Sequence, residues 1–309
     1  MAMDCDVKAL KLLFTLKNSF VWLFFVAFVI GVEVYWGWGA LLAPWKKLNS
    51  LSVFAAILFF LLSYQIRTWR LYAYFLPHTK GHWIAALRLM LLHNILNNLL
   101  PARSGEISFP VLMKRYFLVD YIHSIPALLW FRLLDLHMLL SIGLIAWVTK
   151  GATDHSFIYF PLVLLWLLSP YLFYALKNRI RKTITQPFIL KILDGLPQNS
   201  VKFWYNWLLT GLNWSIKLMV LAWLLAQFLN IDCAYLFSSV IAGELSSVLP
   251  FHAPAGVGTY EAGMVAPLLA VIDANTATKA AINVHLFMLL SSILGGLIGW
   301  LLPVKIQDK

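Results

Sequence analysis

Charged residues are scarce in this chain: 12% of 309, against 61% hydrophobic residues and a mean hydropathy of +0.78. That shortage excludes a soluble globular protein and leaves a polytopic membrane protein. Long polar stretches are missing too. The longest runs from Lys177 to Lys202, so no nucleotide-binding domain fits in these residues and an ATP-driven pump is excluded. Cysteine is nearly absent, and Cys5 and Cys233 lie too far apart to suggest a disulfide framework. No His-Glu-x-x-His, Gly-x-Ser-x-Gly, Cys-x-x-Cys or phosphate-loop pattern occurs. The expectation is a chain that is not an enzyme, with no catalytic residues, metal or cofactor.

What charge there is leans basic, at a net +11. The basic residues sit beside apolar runs, so anionic lipid and the positive-inside rule explain them better than nucleic acid. Lys8, Lys11 and Lys17 precede an apolar run from Phe20 to Leu42, which is too long for a signal peptide and reads as a retained first helix. A spanning helix takes about 20 apolar residues. Six stretches qualify: 20–43, 51–76, 121–149, 156–177, 203–229 and 280–302. Regions 83–117 and 233–272 are apolar but interrupted near their middles, and read as re-entrant helix pairs. The expected fold is an all-α polytopic membrane protein, one integral membrane domain over 1–309. It has about six full transmembrane helices plus two re-entrant pairs. The basic loop 177–202 carries Arg179, Arg181, Lys182, Lys191 and Lys202. It lands in the cytoplasm with both termini and faces anionic lipid there; Lys46 and Lys47 are the exception.

The two interruptions resemble each other. One reads Asn98-Leu99-Leu100-Pro101-Ala102-Arg103-Ser104-Gly105-Glu106. The other reads Val248-Leu249-Pro250-Phe251-His252-Ala253-Pro254-Ala255-Gly256-Val257-Gly258, followed by Glu261. Downstream, Leu136–Ile145 echoes Leu286–Gly295. Residues 51–149 and 203–302 therefore read as one unit used twice in opposite orientation. In such inverted repeats the broken helices meet near the midplane at the transport site.

Ionisable residues in spans each cost roughly 2.5–3.5 kcal/mol at a helix centre. They are Arg67, Arg70, Arg132, Asp135, Lys217 and Glu244, with Arg103 and Glu106 at the first tip and Glu261 after the second. Arg132 and Asp135, three apart, can pair on one helical face. Arg67 and Arg70 share a face and need an anion, an acid elsewhere, or a path to the interface. Gly105 and Gly258 precede helix starts, where backbone N–H groups favour an anion. There Glu106 and Glu261 either cap their own helices or tune and proton-couple the cavity. Asn94 and Asn98 share a face before the first tip, to satisfy freed backbone or to bind a polar head group. The first tip has Arg103 beside Glu106, whereas the second has only His252 near Glu261. The expected substrate-binding set is Arg67, Arg70, Asn94, Asn98, Arg103, Glu106, Arg132, Asp135, Glu244, His252 and Glu261. Pro101, Gly105, Pro250, Gly256 and Gly258 shape the tips. His137, near Arg132 and Asp135, is the one suggestive histidine.

Four pieces in order carry a family resemblance: Ser63-Tyr64-x-x-Arg67-x-Trp69-Arg70, Asn98 to Glu106, Arg132-Leu133-Leu134-Asp135-Leu136, and Leu249-Pro250-x-x-x-Pro254-Ala255-Gly256-Val257-Gly258-x-x-Glu261. The chain resembles the lysylphosphatidylglycerol synthase transmembrane region, or flippase-like, family. It departs at Ala255, where members commonly have glycine. The resemblance implies lipid translocation between leaflets. For the best-known member, the bacterial multiple peptide resistance factor, the lipid is lysyl-phosphatidylglycerol. Its soluble aminoacyl-transfer domain has no counterpart here. Other members act near polyprenyl-linked sugar, hopanoid or glycolipid pathways, so the lipid is not carried over. The expected function is a flippase in a prokaryotic inner membrane. It would move an aminoacylated or anionic phospholipid, or a polyprenyl-phosphate-linked glycolipid. The alternatives are an intramembrane head-group transferase or an accessory subunit partnering a separate lipid synthase. A homo-oligomer stays open.

Overall fold

The computed structural model describes residues 18–150, 159–248 and 254–304. Among these every element is helical. In chain order the helices are α1 (Asn18–Tyr35), α2 (Trp38–Leu42), α3 (Ser50–Tyr74), α4 (Leu76–Thr79), α5 (Trp83–Leu99), α6 (Ser108–Phe117) and α7 (Tyr121–Lys150). There follow α8 (Tyr159–Ala175), α9 (Lys177–Thr183), α10 (Pro187–Asp194), α11 (Ser200–Phe228), α12 (Cys233–Val248), α13 (Thr259–Leu268) and α14 (Ala274–Leu301).

Four helices, α3, α7, α11 and α14, are long and apolar enough to cross a membrane. Two of the expected spans come out differently. Residues 20–43 do not form one straight helix: α1 and α2 meet at 84°. The bend falls at Gly37, whose φ of 73° suits a residue without Cβ. There the Glu33 carboxylate accepts the Trp38 N–H at 2.9 Å and so opens the next helix. Trp45, in the turn after α2, then donates to Asn283 of α14 at 2.6 Å. The fourth expected span holds α8, whose 17 residues reach only about 25 Å by helical rise.

Both interrupted regions are helix–turn–helix. The first is α5, a 3₁₀ turn over Pro101–Ile107, and α6. Pro101 supplies no N–H to continue α5 and holds Leu100 extended, at ψ 140°. The second is α12, a 3₁₀ turn over Pro254–Gly256, and α13. The two 3₁₀ turns lie against each other, and Arg103 Nε donates to the Ser247 carbonyl at 2.8 Å. A broken segment tolerates its free backbone groups when buried in protein like this.

Two apolar clusters build the interior. One joins α3, α11, α12, α13 and α14 around Phe60, Leu221 and Tyr260. The other joins the end of α3 to α5, α6, α7 and α10 around Leu71, Phe109 and Phe131. Several polar residues fall where the two clusters meet: Arg67 and Arg70 lie between Tyr64 and Leu71, Asp135 between Leu134 and Met138, and Thr210 between Phe203 and Trp214, whereas Arg132 lies within the stretch of the second cluster and Lys217 within that of the first. A polar layer thus runs along the junction of the two clusters.

Candidate functional site: a buried ionic network at the helix breaks

By helical rise Arg132 lies about 17 Å along α7 and Thr210 about 15 Å along α11, well inside helices long and apolar enough to cross a membrane. Charges there persist only when paired or facing a polar cavity.

Asp135 is the hub. It accepts both Arg70 amino groups, at 2.7 and 3.3 Å, and the Trp214 indole N–H at 3.2 Å. Arg70 also donates to Thr210 Oγ1 at 2.9 Å and lies over the Phe131 ring. Arg132 stands 3.5 Å from Asp135, the expected i,i+3 pair, yet it is closer to Glu106, at 2.7 Å. Arg103 is 3.8 Å from Glu106. Three helices, α3, α7 and α11, and the first turn are tied together by these contacts.

Arg67 differs from its neighbours. It donates to the neutral Asn94 Oδ1 at 3.2 Å and lies 5.6 Å from the Trp214 ring centre. No carboxylate stands within ion-pair distance of it among the described residues; its Nε is buried without a partner, as are those of Arg70 and Arg132. So Arg70 finds its acid, Asp135, while Arg67 has a neutral amide in its place. Four guanidinium groups face two carboxylates here, Glu106 and Asp135. Asn94 Nδ2, Asn97 Oδ1 and both amide atoms of Asn213 are buried and unpartnered as well. Buried polar atoms are normally satisfied, and a cluster of exceptions marks room for water or ligand.

Glu106 does not cap a helix. It lies in the turn before α6, which has no side-chain cap, and its carboxylate turns to Arg132 instead. Nor does Gly105 cradle an anion. A Cβ there would collide with the Leu96 and Asn97 backbone, so the glycine lets the turn fold back onto α5. Asn94 and Asn98 part company: Asn98 donates to Ser292 Oγ at 2.6 Å, as a partner to Tyr64.

Glu244 and Glu261 lie outside this network. Glu244 pairs with Lys217 at 2.7 Å and accepts from Tyr260 at 3.3 Å. Lys217 sits over the Trp214 ring, the link to Asp135. Glu261 caps α13 through the Gly258 N–H and meets His285 of α14 at 2.7 Å. The second break therefore has basic partners from α11 and α14. Gly256 is buried in the turn before Gly258. His252 and Pro250 lie outside the described residues. His137 turns away toward Trp166, 5.0 Å between ring centres.

Sequence reasoning missed His93, Thr210, Trp214 and His285. A histidine in an apolar run was the available signal for His93 and His285. His93 Nδ1 lies 2.9 Å from Ser108 Oγ, and Nε2 lies 3.2 Å from Arg132. A guanidinium only donates, so Nε2 is the acceptor and Nδ1 carries the hydrogen. Ser108 Oγ in turn donates to the Gly105 carbonyl at 2.6 Å. The arrangement gives Ser108 no base, so these groups form no activated nucleophile.

An all-helical integral membrane protein, broken twice, with an arginine-rich network between its spans: that is the class. The chain belongs to the lysylphosphatidylglycerol synthase TM region family, whose model matches residues 9–296. No curated protein and no solved structure matches it. Membership places it among membrane proteins of lipid metabolism.

Proposed function

We propose that the chain moves a phosphate-bearing lipid between the leaflets of a prokaryotic plasma membrane. The observation that carries this reading is Arg67. It is a guanidinium without a carboxylate, beside unpartnered amides, in a layer where cations outnumber acids. A phosphate fits such a fork through paired N–H donors. Arg67 and Asn94 contact the head group directly. Arg70 and Asp135 brace them, and Arg132 and Arg103 add positive field while holding Glu106. The acyl chains stay in the bilayer.

The architecture supports the same reading. Each helix–turn–helix is flanked by long helices, α3 and α7 for the first and α11 and α14 for the second. We read residues 51–149 and 203–302 as an inverted repeat whose halves gate against each other. With α8 and the bent α1–α2 unit as the remaining spans, both termini and the 177–202 loop face the cytoplasm. Head-group transfer chemistry has less support, because in both Ser–His contacts among the described residues the serine donates to a backbone carbonyl instead of to the imidazole, Ser108 to Gly105 and Ser141 to His137.

Native mass spectrometry of the purified protein tests the ligand. Wild type should retain a lipid with phosphate, and Arg67→Ala should lose it. Retention of neutral lipids only, or equal retention by both, would overturn the reading.

A further inference from the structure

Glu261 and His285 take no part in holding the head group. Glu261 Oε1 lies 2.7 Å from His285 Nδ1, while Oε2 accepts the Gly258 N–H at 2.7 Å. Glu261 is 5% exposed and His285 2%. With Nδ1–H donating to the carboxylate, Nε2 holds the lone pair, and Nε2 is buried with no hydrogen-bond partner. A buried imidazole nitrogen beside a carboxylate can take up a proton. The pair carries one negative charge without that proton and none with it.

A mostly apolar cavity of about 410 Å³ reaches the Glu261 side of this pair. Phe28, Val32 and Trp36 of α1, Gly258 and Glu261 at the start of α13, and Thr278 of α14 line it. In the orientation proposed above, it opens at the outer end of these helices. The other charges around the pair are accounted for. Lys217 of α11 and Glu244 of α12 neutralise each other at 2.7 Å. They meet the pair only through Tyr260, whose ring lies 4.6 Å from that of His285. Glu33 of α1 is turned to the Trp38 N–H. On α14, Asp273 caps the exposed helix start through the Thr276 N–H, which holds its carboxyl below the usual range. Lys279 lies six residues before His285, on another face. The first break, by contrast, is built on guanidinium groups that do not deprotonate.

We propose that Glu261 and His285 form a proton-binding site filled through this cavity, and that its occupancy drives lipid movement; this rests on the transport reading above. The proton arrives from the cavity side, where Glu261 is the acidic residue of the lining. The pair takes it at His285 Nε2 or at the carboxylate, and release reverses the step. A neutralised Glu261 is a weaker acceptor for the Gly258 N–H. Protonation thereby loosens the start of α13, which abuts the turn that touches the first break.

Two measurements test this. In proteoliposomes, a transmembrane gradient of one pH unit should bias the leaflet distribution of a labelled anionic phospholipid about tenfold for one proton per lipid. In Glu261→Gln and His285→Gln the distribution should ignore the gradient. Independently of transport, infrared difference spectra of the purified protein at low against high pH should show a carboxyl or imidazole protonation change that Glu261→Gln removes. Glu261→Gln still offers an amide oxygen to Gly258, which guards against misfolding. If wild type moves no lipid, the transport reading fails while the infrared result still decides the proton site. A wild-type titration unchanged by both substitutions, or gradient-driven transport that survives them, overturns the proposal.

Discussion

Asp135 and Arg67 belong to the same layer but should respond to mutation in opposite ways. Asp135→Ala removes the carboxylate that holds Arg70 at 2.7 Å and the Trp214 N–H at 3.2 Å. Arg70 is 4% exposed and keeps only Thr210 as an acceptor. Breaking a buried pair from one side costs about 3–5 kcal/mol. An orphaned buried donor such as the indole N–H adds about 1–3 kcal/mol. Polar groups in membranes find substitute partners, so the lower ends apply, a loss of about 4 kcal/mol. Arg67→Ala leaves no carboxylate uncompensated. It removes one 3.2 Å bond to a neutral amide, worth about 1–2 kcal/mol. Unfolding of the purified protein in mixed micelles of increasing denaturing detergent, followed by circular dichroism, reads both. Asp135→Ala should unfold far earlier than wild type, with Arg67→Ala close to wild type yet lacking bound lipid. Equal destabilisation by the two substitutions would refute the division of labour.

Other outcomes follow from single contacts. Gly105→Ala drives a Cβ into the Leu96–Asn97 backbone and should lower the unfolding midpoint by about 1–3 kcal/mol. Ser292→Ala strips the shared partner from Tyr64 and Asn98 and should cost about 1–3 kcal/mol on the same assay. Trp45→Phe removes the 2.6 Å bond to Asn283. It should raise protease cleavage in the α2–α3 connection while leaving lipid retention intact. Cys233, exposed at the start of α12, should react with a membrane-impermeant maleimide from the outer side of intact cells in a Cys5→Ser background. Labelling only after permeabilisation would reverse the assigned orientation.

The breaks were legible in the sequence because Leu-Pro followed by a small-residue turn ends a helix through local geometry alone. The bend at Gly37 had the same local origin, but it hid inside a continuous apolar run that reads as one span. The members of the site could be named because each ionisable residue is conspicuous in an apolar helix. Their pairing could not be read. Arg70 and Asp135 are 65 positions apart, and which acid meets which base depends on how α3 and α7 cross. That crossing turned Arg70 into a brace and left Arg67 open, though the two look equivalent in sequence. The packing of α14 on α13 likewise brought His285 to the second break, 24 positions from Glu261.

Leaflet exchange in reconstituted vesicles is the most direct measurement. A head-group-labelled anionic phospholipid should cross faster with wild-type protein than in empty vesicles. The rate should fall at least about tenfold in Arg67→Ala, with fold retained, and clearly in Arg103→Ala. Exchange no faster than in empty vesicles, or variants indistinguishable from wild type, would contradict a lipid-transporting role for the arginine layer.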